Sequence, residues 1–384
     1  MEHKERGKEK ILIVEDSEFF LHLLGRILAK AYDVVLAKNG AIAVEEFNAS
    51  HPDLVLMDLE MPVMGGLEAV KILRSNPQNI MTPILVLSGS SESEKRVELL
   101  NEGANDFIPK PFEKSELLAR VKTHLKLARL HKQLDLRNRQ FELEKELARK
   151  VQENLLPDNN EMNIPGLTIH SYYCASEQVG GDFFDFWIRP EKKTAHFLIG
   201  DVSGHGVASA LMMSAWKGVL FNLGQSTLSP LEVVATANQR ICAMMKHSEE
   251  TMFLTLVYCV LDQGTKKMSI ISAGHNPVYL LGDQTIQAIH SSGPPLGILD
   301  FASWKVQRCR MAADTGLFLY TDGIVEAMAE DKELYGNKRL EKVLKQNHDN
   351  PQKLISTVLK EVRDFNVSEE FDDDITMLAL QMQS

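Results

Sequence analysis

Four stretches of the C-terminal half place carboxylates at the ends of apolar runs. Gly200-Asp201-Val202-Ser203-Gly204-His205-Gly206 follows the apolar run 195–199. Its glycines mark a tight turn where backbone approaches something closely. Upstream lies Val179-Gly180-Gly181-Asp182-Phe183-Phe184-Asp185-Phe186. Downstream, Leu317-Phe318-Leu319-Tyr320-Thr321-Asp322-Gly323 again puts an aspartate between an apolar run and a glycine. Near the C-terminus, Asp372-Asp373-Asp374-Ile375-Thr376 leads into the apolar segment 377–380. An acid at the lip of a buried strand is costly unless it is paired or bound to a cation. Mg²⁺ and Mn²⁺ take oxygen ligands, so convergent carboxylates suit them. Two such ions about 3.5–4 Å apart can activate a water and stabilise a phosphoryl displacement.

A second acidic set sits near the N-terminus. Ile11-Leu12-Ile13-Val14 ends at Glu15-Asp16, the run 53–57 ends at Asp58, 83–87 ends at Ser88, and 106–109 ends at Lys110. Three acids at neighbouring strand ends repel one another, and Lys110 offsets only part of that. A Mg²⁺ there would neutralise an incoming phosphoryl group while one carboxylate attacks it.

The elements that must hold these residues are legible in outline. Residues 9–125 alternate short apolar runs with helical segments such as 19–30, which predicts a doubly wound parallel sheet with its binding crevice at the carboxyl ends of the strands. Residues 115–156 lack Gly and Pro and are rich in helix formers. Leu127, Leu134, Phe141, Ala148 and Leu155 recur every seven residues, while the companion stripe Leu130, Arg137, Glu144, Val151 is polar in its middle. A dimeric coiled coil with a weakened centre fits this pattern, as does one long solvated helix. In residues 158–384, strands are expected at 172–176, 183–188, 251–261, 268–272 and 278–281, and helices at 208–223, 230–245 and within 337–365. Leu211, Ala215, Val219 and Asn222 form a mainly apolar helix face, expected to pack on a sheet, with Met212 and Met213 as core filler.

Taken in order, the acidic segments of the C-terminal half, together with Ser272-Ala273-Gly274-His275-Asn276-Pro277 and Pro294-Pro295-Leu296-Gly297, resemble the bacterial sporulation and stress-response branch of the metal-dependent, PPM-type serine/threonine protein phosphatases. The resemblance implies an α/β-β/α sandwich over 158–384 with two or more Mn²⁺ or Mg²⁺ ions. It makes Asp182, Asp201, Asp322 and Asp373 the metal-centre carboxylates, with the Val202 carbonyl as a further ligand. Asp185 and Asp374 would support those ligands or bind an additional ion. His205 would protonate the leaving oxygen or simply cap the following helix. Eukaryotic relatives carry a phosphate-binding Arg near the first acidic motif; none stands beside Asp182, which leaves phosphate binding to the metal.

Residues 9–125 resemble the receiver domain of two-component response regulators, a flavodoxin-like fold, through the acids above, Met61-Pro62, Gly65-Gly66, Gly103-Ala104 and Lys110-Pro111-Phe112. This implies Asp58 as phosphoacceptor and Mg²⁺ held by Glu15, Asp16, Asp58 and the Glu60 carbonyl. Ser88 and Lys110 would contact the phosphoryl oxygens, Phe107 would be the aromatic switch, and the bond before Pro111 would be cis. The implied partners are a sensor histidine kinase or phosphotransfer protein, a phosphorylated STAS-type anti-sigma-factor antagonist as substrate, and a second copy through the linker 126–157. Control is expected through the helix at 147–156, with Asp58 phosphorylation activating.

The 384 residues allow two or three domains, and 44% hydrophobic with 25% charged residues supports full cores. A net charge of −11 argues against a nucleic-acid partner, and no basic helix-turn-helix segment supports a transcription factor. Four scattered cysteines, Cys174, Cys242, Cys259 and Cys309, fit buried reduced thiols in a cytoplasmic protein. The charged N-terminus carries no signal-peptide pattern, and no run is long enough to span a membrane. The rival to an enzyme is a non-catalytic adaptor whose phosphatase-like domain binds a partner in a phosphorylation-dependent way; the complete set of four aspartates discriminates against it.

Overall fold

The computed structural model describes residues 8–89, 98–157, 164, 166–176, 179–248, 251–282, 285–347, 350–368 and 371–383. The chain divides into two compact units, Met1–Phe141 and Glu142–Ser384. In the first, β1 (Lys10–Val14), β2 (Asp33–Ala37), β3 (Leu54–Asp58), β4 (Ile84–Ser88) and β5 (Asp106–Pro109) form one parallel sheet in the order β2-β1-β3-β4-β5. β3 and β4 are buried along their whole length, as expected of strands covered on both faces. Helices α1 (Glu18–Leu28), α2 (Gly40–Ser50) and α3 (Gly66–Ser75) follow the first three strands. Leu21, Leu24 and Leu28 bury one face of α1, and the Asn39 side chain caps α2 by accepting from the Ile42 N–H. The Lys110–Pro111 peptide is cis.

One helix of 40 residues, α4 (Lys114–Glu153), begins in the first unit and ends in the second. Leu117, Val121 and Leu125 are buried in the first unit's core, so helical structure starts well before the expected linker at 126–157. Beyond them Leu127, Leu130, Leu134, Phe141 and Val151 are all exposed on the single chain. The pairs Asp135–Arg139, Glu146–Lys150 and Arg149–Glu153 lie one helical turn apart along its surface, each worth only a few tenths of a kcal/mol. At its end Gln152 is buried and Leu156 packs into the second unit's cores.

The second unit stacks two antiparallel sheets between two helix layers. One sheet has the order β13-β10-β9-β8-β7: β7 (Phe183–Arg189), β8 (Thr194–Val202), β9 (Leu254–Asp262), β10 (Lys267–Ala273) and β13 (Gln307–Arg310). The other has the order β12-β11-β14-β15-β6: β6 (Leu167–Cys174), β11 (Val278–Gly282), β12 (Thr285–Ile289), β14 (Gly316–Tyr320) and β15 (Ile375–Met382). Strand alternation builds the layers. Phe184, Phe186, Leu317 and Leu319 point into the core between the sheets. Phe183 and Trp187 face α5 (Val207–Gly224) and α6 (Pro230–Met245), while Phe318 and Tyr320 face α7 (Gly336–Gln346) and α8 (Pro351–Phe365).

Two sequence expectations need correction. The buried face of α5 carries Met213, Trp216, Lys217, Leu220 and Leu223, whereas Leu211 is 63% exposed. Ala215 and Val219 of the expected face pack at the edge of this core, while Leu211 and Asn222 are exposed. Of the four cysteines, all free, Cys259 alone is buried; the others are half-exposed. Replacing Trp216 by Ala should cost about 3–5 kcal/mol. Leu211→Ala should stay within about 0.5 kcal/mol. Denaturant unfolding of both variants checks the assigned face.

Candidate active site

Antiparallel pairing explains how distant acids reach one place. Phe183 pairs with Gly200 and Tyr320 with Met377. The start of β7, the end of β8, the end of β14 and the start of β15 therefore lie at one end of the sandwich, and Asp182, Asp201, Asp322 and Asp373 go with them. Asp322 and Asp373 come together with Glu326, carboxylate oxygens of all three within 4.8 Å of one another. Asp182 and Asp201 stand outside that group, but their fields overlap it. Burial pushes the Asp201 carboxyl up to about 7, with Asp322, Asp373, Asp374 and Glu326 adding to the rise. Asp182 is 1% exposed, and burial with the Asp201 and Asp374 charges raises it well above the usual carboxylate range. Burial and Glu326 raise Asp322.

The groups around Asp182 determine what it can bind. Thr321 and Thr376, both fully buried, donate their hydroxyls to the same oxygen, Oδ2, at 2.6 and 2.7 Å. Thr376 N–H in turn donates to Thr321 Oγ1 at 2.9 Å. Both threonines thus orient one oxygen and leave Oδ1 out of that network. Asp374 plays a different part. Its Oδ1 accepts from Ser176 N–H and Oγ, and its Oδ2 accepts from Gly181 N–H at 2.7 Å. It ties the loop before Asp182 to the start of β15. Gly180 makes this possible, since a Cβ there would fall 2.0 Å from Asp374 Oδ2. The buried Gln152 amide clamps the same residue, donating to the Gly180 carbonyl at 2.6 Å and accepting from its N–H at 3.1 Å. The Val202 N–H donates to the Gly181 carbonyl at 3.3 Å, which sets Val202 beside this loop.

Asp185 points away from the acids, into the core under α5, where it pairs with buried Lys217. It supports no ligand, because strand alternation puts it on the face that carries Phe183 and Trp187. His205 is exposed, in a turn where Gly204 and Gly206 take φ 95° and 78°. The N-cap of α5 is Gly206, without a side-chain cap. His205 instead lies near enough to Asp373 to favour that carboxylate. Three participants escaped the sequence reading. Glu326 stands four residues after Asp322, a spacing that was available as a signal. Thr321 and Thr376 stand beside recognised aspartates, but nothing local shows that both reach Asp182.

The receiver acids meet as expected. Glu15, Asp16 and Asp58 bring carboxylate oxygens within 4.8 Å of one another. Lys110 Nζ pairs with Glu15 at 2.7 Å and Asp58 at 2.9 Å. Burial raises Glu15, partly offset by Lys110 and reinforced by Asp58. Ser88 Oγ is fully buried and has no hydrogen-bond partner among the described residues, which fits a hydroxyl meant for an arriving phosphoryl oxygen. Glu60 is exposed in the loop after Asp58, and Phe107 is half-buried on β5.

Both acidic centres fit divalent cations. The charged groups that raise Asp201 are all acids, and a cluster of one sign suits a cation. The fold and the two sites define a receiver domain joined to a PP2C-type phosphatase domain. Family models agree: "Response regulator receiver domain" matches residues 11–122, and "Stage II sporulation protein E (SpoIIE)" matches residues 191–383. The chain belongs to the SpoIIE family. It is similar to Protein IcfG of Synechocystis, 27% identical over 62% of this chain and 41% of that protein. It is also similar to phosphoserine phosphatase RsbP of Bacillus subtilis, 29% identical over 48% of this chain and 46% of that protein. The chain spans less than half the length of these two relatives. The SiaA-PP2C domain of Pseudomonas aeruginosa shares the fold, with a TM-score of 0.56 at 19% identity over 64% of this chain and 98% of that one.

Asp201 also predicts a pH dependence. In the metal-free protein it binds its proton near pH 7 when folded, against an ordinary value of 3.8. Between those values the folded state holds more protons, so stability must fall as pH rises through the window. Thermal melts without metal should show the midpoint falling from about pH 5 to about pH 7.5, and Asp201→Asn should flatten the slope. An unchanged slope in Asp201→Asn would refute the assignment.

Proposed function

We propose that this protein is a metal-dependent serine/threonine protein phosphatase controlled by phosphorylation of Asp58. The observation that carries this reading is the convergence of Asp182, Asp201, Asp322 and Asp373 at one end of the sandwich, with Asp201 raised by burial and further by the acids around it. Asp182 Oδ1, Asp201, Asp322, Asp373 and the Val202 carbonyl would hold two or more Mn²⁺ or Mg²⁺ ions. Bound there, such ions lower the pKa of a water and neutralise phosphoryl charge. Thr321 and Thr376 hold Asp182 by Oδ2 and leave Oδ1 outside their network. Asp374 keeps the loop of Asp182 against β15. In this reading His205, exposed near Asp373, protonates the leaving serine oxygen. The substrate in this reading is a phosphoserine on a STAS-type anti-sigma-factor antagonist, supported by likeness to a protein named a phosphoserine phosphatase. The adaptor reading has no observation in its favour, since the acids and their threonine supports are all in place.

The receiver takes its phosphoryl group from a histidine kinase or phosphotransfer protein, with Glu15, Asp16, Asp58 and the Glu60 carbonyl holding Mg²⁺. Among the described residues no helix is long and apolar enough to cross a membrane, and the proposed site of action is the cytoplasm. The exposed apolar residues of α4 support a homodimer through residues 126–157. Control passes through the end of the same helix, since Gln152 grips the residue two before Asp182.

Asp322→Asn should abolish turnover of a phosphoserine protein with Mn²⁺, by at least about 100-fold, while far-UV circular dichroism stays unchanged. Full activity in that variant would end the phosphatase reading. The phosphoryl mimic beryllofluoride should raise the rate of the wild type and have a smaller effect on Gln152→Ala. Equal wild-type rates with and without it would remove the control by Asp58.

A further inference from the structure

The segment Ser272-Ala273-Gly274-His275-Asn276-Pro277 takes no part in the chemistry above, yet it holds a buried histidine. The segment leaves the first sheet at the end of β10 and enters the second at the start of β11. His275, 7% exposed, bonds to both sheets. Nδ1 lies 2.7 Å from Thr255 Oγ1, and Nε2 lies 3.0 Å from the Tyr320 carbonyl. Thr255 is the direct cross-strand partner of Asp201. Tyr320 ends β14, one residue before Thr321 and two before Asp322.

We propose that His275 is a positioning residue that sets the separation of Asp201 and Asp322 across the two sheets. The core between the sheets is apolar, and apolar contact is non-directional, so it does not by itself fix how far one sheet slides on the other. Ligand distances at a metal tolerate only about 0.2 Å. Two hydrogen bonds from one rigid ring supply the missing direction. A carbonyl only accepts, so Nε2 carries the proton and Nδ1 accepts from the Thr255 hydroxyl. That is a neutral imidazole, and burial, which pushes its pKa down to about 4, keeps it so. Such supporting bonds commonly decide metal affinity.

The inference rests on the metal-centre reading, and the test separates the two. The full chain carrying Asp16→Asn and Asp58→Asn, which silences the receiver acids, is titrated with Mn²⁺ by calorimetry. His275→Ala should weaken binding about 10–100-fold, and the half-saturating Mn²⁺ for turnover should rise by the same factor. His275→Gln, whose amide N–H can still reach the Tyr320 carbonyl, should recover most of the loss. Thr255→Val removes only the hydroxyl and should weaken binding in the same direction, which keeps the test alive if His275→Ala does not fold. Asn238 is a buried control. It joins α6 to the backbone of Gly297 and Leu299, and Asn238→Ala should lower the melting temperature without changing Mn²⁺ affinity. Wild-type affinity in folded His275→Ala or Thr255→Val, or an equal loss in Asn238→Ala, would overturn the inference. No Mn²⁺ binding by the parent chain would remove the metal-centre reading and this inference with it.

Discussion

Like charges crowded together at one end of the sandwich are the constraint on which the acidic site of the C-terminal unit is built. Asp182 and Asp201 are mostly buried, and the acids around them make ionisation harder. Left as carboxylates, they would push the strand ends apart. The fold resists with directional bonds: two threonine hydroxyls on one oxygen of Asp182, and backbone and serine donors on Asp374. These bonds hold the loops in place but do not cancel the charge. The charge left over is the reason the cluster suits a divalent cation.

The N-terminal unit meets the same difficulty with a different remedy. Lys110 reaches both Glu15 and Asp58 from the end of β5, so an internal cation already offsets part of the charge. Ser88, at the end of the neighbouring β4, keeps a buried hydroxyl with no hydrogen-bond partner among the described residues. The N-terminal acids thus carry a lysine among them, whereas the charged groups that raise Asp201 are all acids. Lys217 shows a third solution, in which a buried lysine neutralises Asp185 for packing alone.

Most supports of the metal-centre acids are bonds between residues far apart in the chain. Asp182 is held from Thr321 and Thr376, Gly180 from Gln152, and the strand ends beside Asp201 and Asp322 from His275. The clamp on Gly180 joins the end of α4 to the loop before Asp182, where a side chain on residue 180 would not fit.

The sequence alone determined the parallel α/β character of residues 9–125, the layered sheets and helices of 158–384 in outline and the long helix, and its motifs carried the resemblance to the two domain types. Those features are local: alternation, apolar runs, turn glycines and acids at strand ends are set by residues within a few positions of one another. Which face of α5 is buried was decided by the tertiary structure, where the core takes in Trp216 and leaves Leu211 exposed. The sheet also turned Asp185 away from the acids and brought Glu326, Thr321, Thr376, Gln152 and His275 into play. A side chain's partner across many tens of residues depends on strand register and layer packing, and neither is written in the spacing around either residue.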